Sequence, residues 1–259
     1  MSVFLQLYLR NLRQLPRIPV VLVFGIAMPV IQLLLFGSVF SNTLDTPGHP
    51  YNGVAESYYE FIAPAIILLT AVLGMANSSA AFIVDLRTGY FDKLRTTPAS
   101  PAAVIFARLL AESTRVGGQA FIILGLAFLL GARVETGILG ALAIVLVGVL
   151  FGLLTTGMAV MILAMKTRSD QATQSVFPLF FVLLFLSEAF MPGPLLPDWL
   201  QTVIDFNPVN YAIVGLRDLM FEGWGEALPD LAIGLGLALV IGGLLALVNR
   251  RTYRATVLG

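Results

Sequence analysis

Few side chains in this sequence are suited to breaking or making bonds. The chain has no cysteine and a single histidine, His49. Thiol nucleophiles, disulfides, cysteine metal sites and multi-histidine clusters are therefore excluded. The Gly-x-Ser-x-Gly elbow of serine hydrolases is absent. So is a Gly-x-Gly-Asp aspartyl-protease motif, since Gly223-Trp224-Gly225-Glu226 does not match it. A phosphate-binding loop needs Gly-x4-Gly-Lys-Ser/Thr, so that backbone amides and the lysine can hold phosphates. The only lysines are Lys93 and Lys166, and neither follows glycine. The chain is not expected to be an enzyme, nor to hydrolyse ATP by that route.

Other residues are placed to bind or to move rather than to react. Arg108, Glu112 and Arg115 fall at i, i+4 and i+7 and share one helical face, where an acid between two bases can pair internally. Charges at membrane depth face protein or a water-filled cavity. The trio reads either as a vestibule that receives substrate or as a helix extension beyond the membrane, because apolar sequence becomes continuous only from Val116. Glu188 either lines an exit or reaches interfacial water. Phe177, Phe181 and Phe185, at i, i+4 and i+8, form an aromatic stripe that suits an apolar substrate or a packing interface. Gly152 and Thr156, with Gly117 and Gly118, permit close approach of helices.

The elements that carry these residues are apolar runs. Of 259 residues, 58% are hydrophobic and 12% charged, with mean hydropathy +0.91. Soluble domains carry roughly 25% charged residues, so too little polar surface is left for a water-soluble fold. Net charge is zero, which gives no nucleic-acid footprint. Apolar runs near 20–40, 58–84, 104–131, 138–165, 171–190 and 229–248 are each long enough to cross a hydrocarbon core of roughly 30 Å. Lipid obliges them to be helical, and they lack the alternation of a membrane barrel. The expected fold is an all-α integral membrane protein with six transmembrane helices. Arg10, Arg13 and Arg17 precede the first run, which is too long for a signal peptide and reads as a retained anchor. Arg87, Lys93, Arg95, Lys166, Arg168, Arg250, Arg251 and Arg254 fall on the same side, opposite Arg133 and Arg217. The excess of basic residues puts both termini in the cytoplasm.

Three segments outside the spans stand out. Residues 1–17 form an amphipathic helix suited to the membrane surface. The cytoplasmic segment 85–101, DLRTGYFDKLRTTPASP, joins spans 2 and 3. Phe91 and Leu94 share a face beside Asp92, Lys93 and Arg95, and proline stops the element at Pro98 and Pro101. It reads either as a short helix that passes a push from a soluble partner or as an ordinary basic loop. The outer segment 191–228 contains two short amphipathic pieces, separated by the turn signal Asn207-Pro208. They read as a re-entrant hairpin or as interfacial anchors, a role that also suits Trp199.

These two segments carry a resemblance. DLRTGYFDKLRTTPASP is similar to the segment after the second span of type-2 ABC exporter permeases, the group that includes daunorubicin-resistance and lipid or polysaccharide export permeases. It has the acid-x-Arg-x-Gly start and the Leu-x-x-Thr-Pro-x-Ser-Pro end. LPDWLQTVIDFNPVNYAIVGLRDLMFEG resembles that family's outer signature, with Leu-Pro-x-Trp-Leu, Asn-Pro-x-x-Tyr and a Leu-Arg before the last span. The resemblance runs the length of the chain, as a single transmembrane domain over 1–259. It implies that Asp85, Arg87, Gly89, Phe91, Asp92, Leu94 and Arg95 belong to a coupling helix docked on a cytoplasmic ATPase. It implies that Pro197, Trp199, Asn207, Pro208, Tyr211 and Arg217 belong to an outer gate. The family often has Glu where this chain has Tyr90-Phe91-Asp92, and Asp92 keeps the charge.

The resemblance further implies two ATPase subunits, which use ATP and Mg, and a second permease copy in a homodimer or heterodimer. No cofactor is expected in this chain. The expected function is ATP-driven export of an amphipathic, drug-like or lipid-like substrate across a plasma or inner membrane. The alternative is a scaffold or channel subunit that moves nothing itself.

Overall fold

The computed structural model describes residues 3–14, 19–44, 57–76, 78–88 and 101–248. Within them the regular structure is helical, with no strand. Helix α1 (Val3–Gln14) precedes α2 (Pro19–Leu44), α3 (Tyr58–Ala76) and α4 (Ser78–Arg87). Helix α5 (Pro101–Leu129) follows, and then α6 (Gly137–Gly152) and α7 (Met158–Thr167). Next come α8 (Asp170–Gln174), α9 (Val176–Phe185), α10 (Asp198–Ile204), α11 (Pro208–Phe221) and α12 (Trp224–Val248).

Helix α3 is the centre of the bundle. Its span Tyr58–Ala76 is 89% buried, against 17% for Val23–Phe40 and 22% for Trp224–Leu247. A helix apolar on every face can bury every face, and α2, α5, α6, α9 and α11 all pack against α3. Close approaches are made at glycines. A Cβ at Gly152 would stand 2.9 Å from the Ala71 carbonyl, and one at Gly234 would stand 2.9 Å from the Ala212 amide. Gly117 makes only ordinary contact and Gly118 faces open space, so of the expected small residues Gly152 does the packing and these two do not.

Four described helices are long and apolar enough to cross a membrane: Val23–Phe40, Tyr58–Ala76, Gly137–Thr167 and Trp224–Leu247. Helix α5 has 29 residues, with charges in its first half, and Asp170–Phe185 is a shorter apolar stretch. The run 58–84 is helical over Tyr58–Ala76 and from Ser78, and residue 77 lies outside the described residues. Two other expected spans differ in detail. The run 138–165 contains a π turn at Leu153–Gly157 between α6 and α7. The run 171–190 stops being helical at Phe185, and turns carry the chain to Met191.

Candidate functional site

Polar groups gather at the two ends of α3. At the Ala76 end, α1, α4 and α5 converge. Asp85 accepts from Arg10 at 3.2 Å and from Arg108 at 3.5 Å, so one carboxylate ties three helices. Tyr8 and Thr114 share a hydrogen bond of 2.9 Å alongside. Arg115 donates to Glu112 at 2.8 Å, to the Gly74 carbonyl at 3.0 Å and to Gln119 at 3.3 Å. Arg108, Glu112 and Arg115 are all buried. The expected internal pairing is seen for Glu112 with Arg115, and Arg108 also reaches Asp85 on α4. Arg87 closes the same end by donating to the Arg168 carbonyl at 2.7 Å and lying 3.9 Å from Asp170. Arg168 has φ of 49°, which turns the chain from α7 into α8. Gly89, Phe91, Asp92, Leu94 and Arg95, the rest of the expected coupling segment, lie outside the described residues.

At the Tyr58 end, α11 rebuilds the broken end of α9. Asn207 caps α11 by accepting from Val209, and its Nδ2 donates to the carbonyls of Leu183 and Leu186 at 2.7 and 2.6 Å. Pro208 follows at the first helical position, where its missing N–H costs nothing. Arg217 is buried and donates to the carbonyls of Glu188 at 2.8 Å and Phe61 at 3.4 Å. Its guanidinium lies 3.6 Å from the centroid of the Phe61 ring, a desolvated cation–π contact. Asn210 accepts from the Glu188 amide at 2.8 Å, and the Glu188 carboxylate accepts from the Gly193 amide at 3.0 Å.

Of the expected outer-gate residues, Asn207, Pro208 and Arg217 meet here, together with Glu188. Pro197 instead starts α10, Trp199 is 62% exposed, and Tyr211 donates to the Asp205 carbonyl at 2.9 Å.

Aromatic rings connect the two ends. Phe177, Phe181 and Phe185 stand 5.5 and 4.9 Å apart in sequence order, as the stripe requires. The series continues through Phe190, Phe36, Phe40 and Tyr58 to Phe61, with successive centroids 5.0 to 6.3 Å apart. Sequence reasoning missed Arg10, Gln119, Asn210 and this extension into α2 and α3. Gln119 had a signal, because it continues the 108, 112, 115 series by one more turn; the others meet only through tertiary packing.

The sequence model of the ABC-2 type transporter family matches residues 2–221. A daunorubicin resistance ABC transporter permease protein from Streptomyces coeruleorubidus is 28% identical over 240 residues, covering 91% of this chain and 80% of that protein. An inner membrane transport permease from Escherichia coli K12 is 28% identical over 193 residues, covering 73% of this chain and 72% of that one.

Proposed function

This chain belongs to the ABC-2 type transporter family, as the permease subunit of an ABC exporter whose ATPase is a separate subunit, and on that premise we propose how its parts divide the work. The chain crosses a plasma or inner membrane six times, with both termini in the cytoplasm. Helix α5 and the Asp170–Phe185 stretch complete the set begun by the four long apolar helices. Two copies pair, each with one ATPase.

The segment 85–101 docks on the ATPase. The observation that carries this reading is the position of Asp85. It is the first residue of that segment and is ion-paired to both Arg10 and Arg108, so a push on the segment reaches α1 and α5 directly. Arg87 links the same point to the turn after α7. The 191–228 hairpin is the outer gate, held by Asn207 and Arg217 against α9 and α3. The substrate is amphipathic and drug-like or lipid-like, the drug-like class being supported by the daunorubicin-resistance name of the Streptomyces relative. It passes along the face bearing Phe177, Phe181 and Phe185.

The test is ATPase turnover of the complex captured through a tag on this chain. A docking contact whose loss costs about 1.4 kcal/mol changes docking about tenfold. Asp92→Asn and Phe91→Ala should each lower turnover by about that factor while membrane insertion is unchanged. Capture of folded protein with no ATPase would overturn the coupling assignment and favour a scaffold or channel.

A further inference from the structure

Between α2, α3, α5 and α9 lies a cavity of about 580 Å³, within the range of small-molecule sites, roughly 300–1,000 Å³. Phe24, Phe177 and Phe181 line it with aromatic rings, and Arg115 and Gln119 line it with polar groups. Gln32 also lines it, as does Thr70, whose hydroxyl donates to its own helix at Ile66. Among the described residues no carboxylate lines it; Glu112 pairs with Arg115 from outside the lining.

The hydrogen bonds give this cavity a sign. A guanidinium only donates, so the oxygen of the Gln119 amide must face Arg115 and its nitrogen must face away. That nitrogen has no acceptor among the described residues, and Gln119 is 3% exposed. It lies against α2 at Gly25, where a Cβ would stand 2.5 Å away, so a side chain there would displace the amide. Arg115 makes three hydrogen bonds, which leaves two of its five N–H groups. Gln119 and Arg115, which both line the cavity, therefore have donors to spare, and a buried donor without an acceptor is costly.

We propose that this cavity binds an amphipathic molecule whose head is a hydrogen-bond acceptor, neutral or anionic, and that it disfavours cationic heads. The aromatic rings take the apolar body, and Gln119 and Arg115 take the head. A cationic head brings no acceptor for these donors, and Glu112 is already engaged by Arg115. This deepens the proposed substrate path and rests on its running along Phe177 and Phe181. The same head chemistry is offered by a small carboxylate or alcohol and by the phosphate of an anionic lipid.

The test uses the full chain with its co-purifying ATPase in phosphatidylcholine nanodiscs. Three probes share one body: pyrenebutanol, pyrenebutyrate and pyrenebutylamine. Binding is read as tryptophan-to-pyrene energy transfer above that of protein-free nanodiscs. The alcohol and the carboxylate should bind about tenfold more tightly than the amine, a difference of about 1.4 kcal/mol. Gln119→Leu, which also removes the unpaired amide but leaves Arg115, should reduce that preference and leave the amine unchanged. Gly25→Ala should do the same by displacing the amide, and serves if Gln119→Leu fails to fold. Phe177→Ala with Phe181→Ala should weaken all three probes alike.

Equal affinities, tightest binding of the amine, or an unchanged preference in a folded variant at position 119 or 25 would overturn the proposal. Competition by added phosphatidylglycerol would support it with a lipid as the source of the head. Binding indifferent to that lipid would support it with a small amphiphile. ATPase co-purification is scored separately. A coupled complex with the wrong probe ranking sinks only the cavity assignment, and correct ranking without an ATPase sinks only the exporter subunit's proposed coupling.

Discussion

Asn207 satisfies two carbonyls that the end of α9 would otherwise leave unpaired in an apolar setting. Asn207→Asp keeps the cap but replaces the donor with a third acceptor facing those carbonyls, so it should destabilise more than Asn207→Ala. The alanine variant loses the cap and the donor together, a cost of about 2–3 kcal/mol. Thermal unfolding in detergent gives the order. Ten residues on, Arg217 has a different neighbour to contend with. Asp218, one residue along α11, is half-buried, and burial raises its carboxyl from 3.8 to about 7, with Glu222 and Asp230 adding repulsion and Arg217 opposing it. The folded state thus holds this proton more tightly than the unfolded chain does. The resulting stability is fully present below about pH 3.8 and is lost as pH rises through about 7. The melting temperature should fall between pH 5 and 8, and Asp218→Asn should flatten that part of the profile.

The helices show where packing, rather than pattern, decides. At Gly234 the neighbour is the backbone of α11, which cannot turn aside, so Gly234→Ala should destabilise by about 1–3 kcal/mol. Gly236, two residues along α12, has nothing within 4 Å of its Cβ position, and Gly236→Ala should be neutral or slightly stabilising. Unfolding of the two variants side by side checks this. The apolar runs announced most of the helices, because lipid leaves the backbone no other choice. The π turn at Leu153–Gly157 is invisible to composition; a Cβ at Gly242 would lie 2.6 Å from the Leu154 carbonyl, which only the packed helices reveal. At the site, the 108, 112, 115 spacing foretold one shared face, but Asp85, Arg10 and the Gly74 carbonyl join it from 23 to 98 residues away along the chain.

Across the whole molecule, the outward surfaces of α2, α9 and α12 are apolar, with Val23, Phe24, Leu179, Val182, Val240 and Leu247 each more than half exposed. Such surface is stable against acyl chains or a second copy and would drive aggregation in water. Because the chain has no cysteine, single replacements report topology cleanly. Glu135→Cys and Glu226→Cys should react with an impermeant maleimide in intact cells, and Lys166→Cys only after permeabilisation; the reverse pattern would invert the proposed orientation. The two polar clusters sit about 20 Å apart, the rise of the thirteen residues of α3 between Phe61 and Gly74. That helix meets neighbours on every side, so it has no face on which substitutions can accumulate unnoticed. A saturation library should record this as a solid block of intolerance across Phe61–Gly74, while α2 and α12 show stripes. Variation among descendants of this sequence would then be spent on the surrounding helices, with the shaft between the two ends inherited almost unchanged.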